Sequence, residues 1–233
     1  MKTGVVVQMR LDSSRLPRKA LLPLGSGTLA STVMYRLKSL PVAEFVLATD
    51  PDSAGALAGI ASQCGFSIFT GSRDDVLDRY IKAAEYFGIG RLVRATGDNP
   101  LVSTELAAQL IADIDAQERL DGSSVDYAGH IGMPIGMGVE LVRLSALHRA
   151  AAESTDPYDH EHVCPYLYRN PSSFRIELLA CPAGYNLPHA RLTVDTPADY
   201  QALLSVFAAL GDNPSDAEVM AYLGTAIPGA VDV

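Results

Sequence analysis

The sequence of 233 residues contains no tryptophan, only three cysteines, and fewer basic than acidic side chains, 18 against 27. The three cysteines have no spacing typical of a zinc site or a redox motif, and an odd number without a secretory signal favours a reducing compartment. The net charge of −9 argues against a general nucleic-acid or membrane-surface binder. No apolar run reaches the length of a transmembrane helix. We therefore expect a cytoplasmic protein with neither nucleic acid nor membrane as a partner.

Apolar segments of two kinds alternate over the first half of the chain. Short runs rich in branched and aromatic side chains predict strands, and segments with helical periodicity or many alanines lie between them. The predicted strands span 4–9, 44–49, 66–70 and 91–96, with helices at 28–39, 53–64, about 73–88 and 103–118. Such alternation predicts a three-layer α/β/α fold around a mostly parallel, Rossmann-like sheet.

The alternation weakens beyond residue 120. Short strands are predicted near 124–128, 138–142 and 174–180, with helices at 144–153 and 159–169. A further strand at 190–194 precedes a helix with Thr196 as its N-cap and Pro197 as its first residue. The last twenty residues predict a weak helix and a loose tail. We interpret residues 1–233 as one domain with an elaborated C-terminal third.

A basic loop follows the first predicted strand. It places Arg10, Arg15, Arg18 and Lys19 within ten positions of an otherwise acidic chain. In an open parallel sheet, ligands bind outside the carboxyl ends of the strands. A local concentration of cations at such an end predicts a small anionic ligand, although a solvated loop is the simpler alternative.

Single aspartates follow three of the predicted strands. Asp50, Asp98 and Asp195 come directly after, or close to, a strand end. Carboxylate oxygens are suitable ligands for Mg²⁺, which usually completes its coordination shell with substrate phosphates. Asp98 and Asp195 beside the basic loop therefore predict a Mg²⁺-dependent phosphoryl site. As alternatives, Asp98 is a turn residue before Asn99-Pro100, and Asp195 is part of a helix cap.

Five sequence blocks resemble those of a known family. "QMRLDSSRLPRKAL" is similar to the opening signature of the CMP-sugar synthetases, the acylneuraminate and 3-deoxy-manno-octulosonate cytidylyltransferases. "GSRDDVLDRY", "RATGDNPLV", "DPYDHEHVCPY" and "LTVDTPADY" resemble later blocks of the same family, in the same order. Within it, the spore-coat polysaccharide biosynthesis protein F-like members are the most similar.

The resemblance implies a GT-A-like nucleotidyltransferase fold and transfer of CMP from CTP to a sugar, expected to be a keto-sugar acid. Pyrophosphate would be the leaving group. The product would be used in polysaccharide or glycoconjugate synthesis. The resemblance assigns nucleotide binding to Gln8, Arg10, Ser13, Arg15, Lys19 and Asp75, with helix capping as an alternative for Asp75. It assigns catalysis to Arg10, Lys19 and Asp98, and it assigns Mg²⁺ binding to Asp98 and Asp195. The residues expected to contact the acceptor sugar are Glu140, Glu161 and His162. Residues 124–189 would form an acceptor-binding and dimerisation part of a homodimer.

Two positions depart from the family pattern. Arg18 stands where relatives usually have glycine, and Gly138 stands where many have aspartate. These departures leave two other functions open. One is a nucleotide-sugar-dependent glycosyltransferase that holds its metal through Asp50 and Asp52, and the other is a nucleotide-binding domain without catalysis.

Overall fold

Strands and helices alternate along the first half of the chain in the structure, a computed structural model that describes residues 1–226. The strands are β1 (Thr3–Gln8), β2 (Pro23–Leu24), β3 (Gly27–Thr28), β4 (Glu44–Thr49), β5 (Ser67–Thr70), β6 (Arg91–Thr96), β7 (Tyr127–Ile131), β8 (Glu140–Arg143) and β9 (Ile176–Ala180). The helices are α1 (Leu29–Leu37), α2 (Pro51–Gln63), α3 (Val76–Phe87), α4 (Thr104–Asp121), α5 (Leu144–Glu153), α6 (Pro157–His162), α7 (Pro165–Arg169), α8 (Pro197–Leu210) and α9 (Asp216–Ala226). Two 3₁₀ turns lie at Lys19–Leu21 and Ala183–Tyr185.

Seven of these strands form one sheet in the order β5-β4-β1-β6-β8-β7-β9. The first four strands in this order are parallel to one another, and β8 runs antiparallel to both of its neighbours. β2 and β3 form a separate small hairpin. The chain adds β4 and β5 on one side of β1 and then β6 on the other, so the strand order reverses at β1. That reversal opens a crevice at the carboxyl ends of β1 and β6.

Helices cover both faces of the sheet. Val5 and Val7 of β1 point into one hydrophobic cluster with α1, α2, α4 and α8, and Val6 points into another with α3, α5 and α7. Consecutive strand residues alternate between faces, so a strand buried on both sides needs an unbroken apolar run. The predicted three-layer α/β fold is confirmed.

Residues 124–189 extend this common sheet. Their strands β7, β8 and β9 continue it beyond β6, and α5 and α7 contribute to the second cluster. No helix in the part of the chain that the structure describes is long and apolar enough to cross a bilayer.

The prediction of a strand at 190–194 is wrong. This segment is extended, but it forms only a single bridge, between Ile135 and Arg191. Its backbone bonds go to two different loops: Leu192 N–H donates to the Ile135 carbonyl at 2.8 Å, and Val194 N–H donates to the Asp98 carbonyl at 2.8 Å. Ala190 is buried with Leu192 and Val194, which explains the strand-like pattern.

Two details of the helix predictions need correction. The helix predicted at 159–169 is divided into α6 and α7 by Val163, whose φ of 76° cannot continue a right-handed helix. The N-cap of α3 is Asp75, so this helix begins at Val76 rather than near residue 73. The helix predicted near the C-terminus is α9, and the predicted loose tail lies outside the described residues from position 227 onward.

Candidate functional site

A cavity of about 280 Å³ opens at the carboxyl ends of β1 and β6, where the strand order reverses. Gln8 and Thr96 are paired in register there, and the N–H of Gly97 donates to the Gln8 carbonyl at 2.8 Å. A Cβ at position 97 would lie 2.8 Å from that carbonyl oxygen, so glycine permits the close approach of the two loops. Nine of the predicted site residues line this cavity: Gln8, Arg10, Ser13, Arg15, Lys19, Asp98, Glu161, His162 and Asp195.

The basic loop has a defined backbone. Leu11 N–H donates to Ser53 Oγ at 2.9 Å, and the Leu11 carbonyl accepts the N–H groups of Ser13 and Arg18. Arg18 itself adopts the left-handed conformation, with φ of 56°, and its side chain is exposed. This fold of the loop places Arg15 and Lys19 in the lining of the cavity and leaves Arg18 outside it.

Lys19 lies at the centre of the charged groups. Its Nζ is 3.1 Å from Asp98 Oδ2, 3.1 Å from Asp195 Oδ1 and 2.6 Å from the Val194 carbonyl oxygen. The side chains of Asp98 and Asp195 keep 27% and 19% of their exposure, so both carboxylates are accessible from the cavity. The two predicted metal ligands therefore converge on one cation although they lie far apart in sequence.

The arginines around the cavity are also paired. Arg15 Nη2 lies 3.2 Å from Asp195 Oδ1, and Arg191 contacts the other oxygen of the same carboxylate. Arg10 Nη2 lies 3.1 Å from Glu161 Oε1 on α6. Arg10 and Arg15 are more than one-third exposed, and exposed ion pairs contribute little free energy, about 0–1 kcal/mol each. An incoming anion can therefore replace these carboxylates at small cost.

Glu140 lies in a second cavity, of about 350 Å³, that adjoins the first. Its carboxylate pairs with Arg94 and accepts a hydrogen bond from Tyr127 Oη at 2.8 Å. Burial disfavours the charged guanidinium, but Glu140 raises the pKa of Arg94 above its ordinary value. Burial, followed by the charge of Glu140, also raises the pKa of Tyr127, which therefore keeps its proton.

Asp75 does not line either cavity. Its Oδ1 accepts the N–H of Asp78 at 2.8 Å at the start of α3, and its Oδ2 lies 2.8 Å from His160 Nδ1. The carboxylate thus caps α3 and ties it to α6, which carries Glu161 and His162. The structure therefore shows the capping role of Asp75, and its contact with the nucleotide stays a prediction.

Several residues of the site were missed by the sequence predictions. Arg94 and Thr96 on β6 line both cavities. They are two positions apart at a strand end, so the period of a strand places them on one face together. That spacing is visible in "RLVRAT" and could have identified them.

The aspartates of the alternative glycosyltransferase site do not converge. Asp50 is 2% exposed and caps α2, with Oδ1 accepting the N–H groups of Asp52 and Ser53. Burial opposes ionisation of Asp50, but these hydrogen bonds lower its pKa overall. Asp52 is exposed and pairs with Arg73. Within residues 1–226 these two carboxylates therefore have separate structural partners.

Comparison with protein families and curated sequences agrees with this geometry. A family model described as cytidylyltransferase matches residues 4–213. The chain is 32% identical over 216 residues to the spore coat polysaccharide biosynthesis protein SpsF of Bacillus subtilis, covering 90% of this chain and 88% of that protein. It is 26% identical over 243 residues to the 3-deoxy-manno-octulosonate cytidylyltransferase of Afipia carboxidovorans, covering 88% and 97% of the two chains.

Solved structures give the same result. A cytidylyltransferase from Leptospira borgpetersenii superposes with a TM-score of 0.86 at 28% identity, covering 100% of this chain and 98% of that one. A CMP:2-keto-3-deoxy-manno-octonic acid synthetase solved with CTP superposes with a TM-score of 0.67 at 18% identity, covering 90% and 99%. At that identity the second match supports the fold alone.

Proposed function

Because this chain belongs to the cytidylyltransferase family, we propose that it transfers CMP from CTP to a sugar hydroxyl. The hydroxyl oxygen bonds to the α-phosphorus, the bond from that phosphorus to the oxygen bridging to the β-phosphorus breaks, pyrophosphate leaves, and the hydroxyl proton passes to solvent. The observation that carries the proposal is the convergence of Lys19, Arg10 and Arg15 with two carboxylates around one cavity at the strand reversal.

In this proposal the cations of the basic loop hold the triphosphate. Arg10 and Arg15, which are both partly exposed, exchange their carboxylate partners for phosphate oxygens, and Lys19 neutralises charge that develops on the transferring group. Gln8, at the end of β1, and Ser13, in the loop, border the nucleotide. Such chemistry depends on positioning and charge compensation and needs no covalent enzyme intermediate.

Asp98 and Asp195 fit a divalent cation. Both offer hard oxygen donors, and both already approach a single cation, Lys19 Nζ, at 3.1 Å. Mg²⁺ bound there would supply a Lewis acid, with its remaining positions filled by phosphate oxygens and water, as that ion usually requires. The residues of this chain would then orient the triphosphate between the metal ligands and the basic loop.

The acceptor is proposed to lie over Glu140, Glu161 and His162, between the two cavities. Keto-sugar acids are the first acceptors to test, because several curated relatives are 3-deoxy-manno-octulosonate cytidylyltransferases. Products of this kind are building blocks of surface polysaccharides, which agrees with the name of the Bacillus subtilis relative. A homodimer that pairs through residues 124–189 remains part of the proposal and is tested by light scattering.

The first experiment is a thermal-shift series with CTP, UTP, ATP and GTP, each with and without Mg²⁺, followed by a pyrophosphate-release assay. A ligand at about a hundredfold excess over its Kd stabilises a protein by about 2.7 kcal/mol, a shift that is easily measured. We expect a selective response to CTP with Mg²⁺ and release of pyrophosphate only when a sugar acceptor is added.

Other outcomes would favour the rival functions. CTP binding without turnover on a panel of eight-carbon and nine-carbon keto-sugar acids would favour the non-catalytic domain. Binding of a nucleotide sugar without pyrophosphate release would favour the glycosyltransferase. An equal response to all four nucleotides would contradict the proposed donor.

A further inference from the structure

The second cavity joins the nucleotide cavity through two shared lining residues, Arg94 and Thr96. Its volume of about 350 Å³ lies at the lower end of the range for small-molecule sites. A molecule that reacts in the first cavity can therefore extend into the second without leaving the carboxyl edge of the sheet.

The floor of this cavity is a row of four residues across four adjacent strands. Arg94 of β6 pairs with Glu140 of β8, Glu140 with Gly129 of β7, and Gly129 with Leu178 of β9. Residues paired directly across strands have their side chains on the same face of the sheet. The row thus consists of an ion pair, a position without a side chain, and a leucine at the sheet edge.

Gly129 leaves a slot in the middle of this row. A Cβ built at position 129 would lie 3.6 Å from Tyr127 Oη and 3.8 Å from the Val139 carbonyl oxygen, which is ordinary contact. The backbone at Gly129 does not have a positive φ, so no conformational reason requires glycine there. Gly129 lines the cavity beside Tyr127 Oη, so a side chain larger than a methyl group at this position would take up part of the cavity.

The two ends of the slot differ in chemistry. At the inner end the charges of Arg94 and Glu140 compensate each other, and Tyr127 Oη donates to Glu140. At the outer end Ile131 and Leu178 are each 52% exposed. A ligand in the slot would therefore meet hydrogen-bonding groups near the nucleotide and apolar side chains farther from it.

We propose that Gly129 determines acceptor specificity: the slot above it receives the non-reacting end of the acceptor sugar, whose apolar substituent, such as an acyl or methyl group, lies on Ile131 and Leu178. This inference rests on the proposed cytidylyltransfer. The occupant is the acceptor because the slot continues the nucleotide cavity and its polar end faces the nucleotide.

The test is Gly129→Val, which fills the slot with a residue that strands accommodate well. Gly129→Ala adds a single carbon at ordinary contact distance and gives a graded comparison. Gly59→Val is the control, because Gly59 is exposed on α2, lies outside both cavities, and a Cβ there meets nothing within 4 Å. CTP affinity is measured by calorimetry, and acceptor KM by pyrophosphate release with two probes, N-acetylneuraminate and 3-deoxy-manno-octulosonate.

We expect the wild type to prefer the acylated probe. Gly129→Val should raise the acceptor KM about tenfold or more, the effect of about 1.4 kcal/mol of lost binding, and leave the CTP Kd within about twofold. Gly59→Val should change neither quantity. Leu178→Asn should reduce the preference for the acylated probe, because the apolar contact is lost while the slot stays open.

Several results would overturn the inference. One is an unchanged acceptor KM in Gly129→Val, and another is an equal or reversed preference between the two probes in the wild type. A third is that Leu178→Asn dissociates a dimer and leaves the preference intact, which would assign the apolar end to a second copy of the chain. Failure of the proposed function is distinguishable, since the wild type would then bind no CTP or release no pyrophosphate with any acceptor.

Discussion

Lys19 Nζ and Asp195 Oδ1 lie 3.1 Å apart, although 176 positions separate the two residues in sequence. Lys19 lies on the loop after β1. Asp195 lies on an irregular segment that follows the single bridge between Ile135 and Arg191. Lys19 also contacts Asp98 after β6, so one side chain connects the three segments that form the proposed phosphoryl site.

Replacing Lys19 by methionine is expected to weaken CTP binding by about tenfold to a hundredfold. A hydrogen bond to a charged group contributes roughly 1.5–3 kcal/mol, and methionine keeps much of the side-chain volume without the charge. Calorimetric titration measures the change. Lys82→Met is the control, because that lysine pairs with Asp78 on the exposed surface of α3. An unchanged Kd in Lys19→Met would remove this residue from the triphosphate site.

The same variant should bind Mn²⁺ more tightly than the wild type when no nucleotide is present. In the structure the ammonium group of Lys19 occupies the space between Asp98 and Asp195, so its removal leaves two carboxylates without their shared cation. Electron paramagnetic resonance of free Mn²⁺ measures this affinity independently of turnover. Equal Mn²⁺ affinities in the two proteins would show that Lys19 does not compete with the metal.

Asp98→Asn should reduce pyrophosphate release by about a hundredfold or more, the scale observed when one group facing a developing charge is removed. Its melting temperature should stay close to that of the wild type, because the side chain is partly exposed and the Val194 amide bonds to the main-chain carbonyl of Asp98. Asp52→Asn is the matched control and should retain activity. The reverse pattern would contradict the assignment of Asp98 to the metal site.

Arg18→Gly is expected to stabilise the fold by roughly 0–1.5 kcal/mol. A left-handed conformation costs a residue with a Cβ roughly 1–2 kcal/mol, and the greater entropy of glycine in the unfolded chain offsets roughly 0.5–1 kcal/mol of that gain. Denaturant unfolding measures the difference. CTP affinity should not change, because Arg18 is exposed and lies outside the cavity lining. Arg15→Gly, which removes a lining cation, should weaken CTP binding.

The contact between His160 and Asp75 predicts a pH dependence in α6. Burial lowers the pKa of His160, but the hydrogen bond to Asp75 and the nearby charges raise it overall above its usual value. The contribution of the charged pair to stability is therefore complete below about pH 6.5, the ordinary histidine value, and is lost as the pH rises through the raised pKa of the folded state.

Hydrogen exchange of the α6 amides tests this prediction. Protection should decrease as the pH rises through that window, after correction for the intrinsic exchange rate. His160→Gln should show no such decrease, because glutamine does not titrate. A pH-independent wild type would mean that the pair does not hold α6.

The amino-acid sequence by itself determined most of the architecture. Unbroken apolar runs, such as that of β1, require a strand buried on both faces, and their alternation with helical periods leads to a parallel sheet with helices on both sides. Thr196 and Pro197 located the start of α8, because capping is a local interaction. The five ordered sequence blocks likewise identified the family.

Only the tertiary structure decided how the site residues are paired. Asp75 has the residue type of a ligand-binding group, but its partner His160 lies 85 positions away, and no local signal predicts that contact. The segment 190–194 has the alternation of a strand, but a ladder also requires a neighbouring strand in register, and the chain supplies loops there instead. The slot over Gly129 exists because four strands place Arg94, Glu140, Gly129 and Leu178 side by side. Register between distant segments depends on the packing of the whole sheet, and sequence periodicity within one strand cannot specify it.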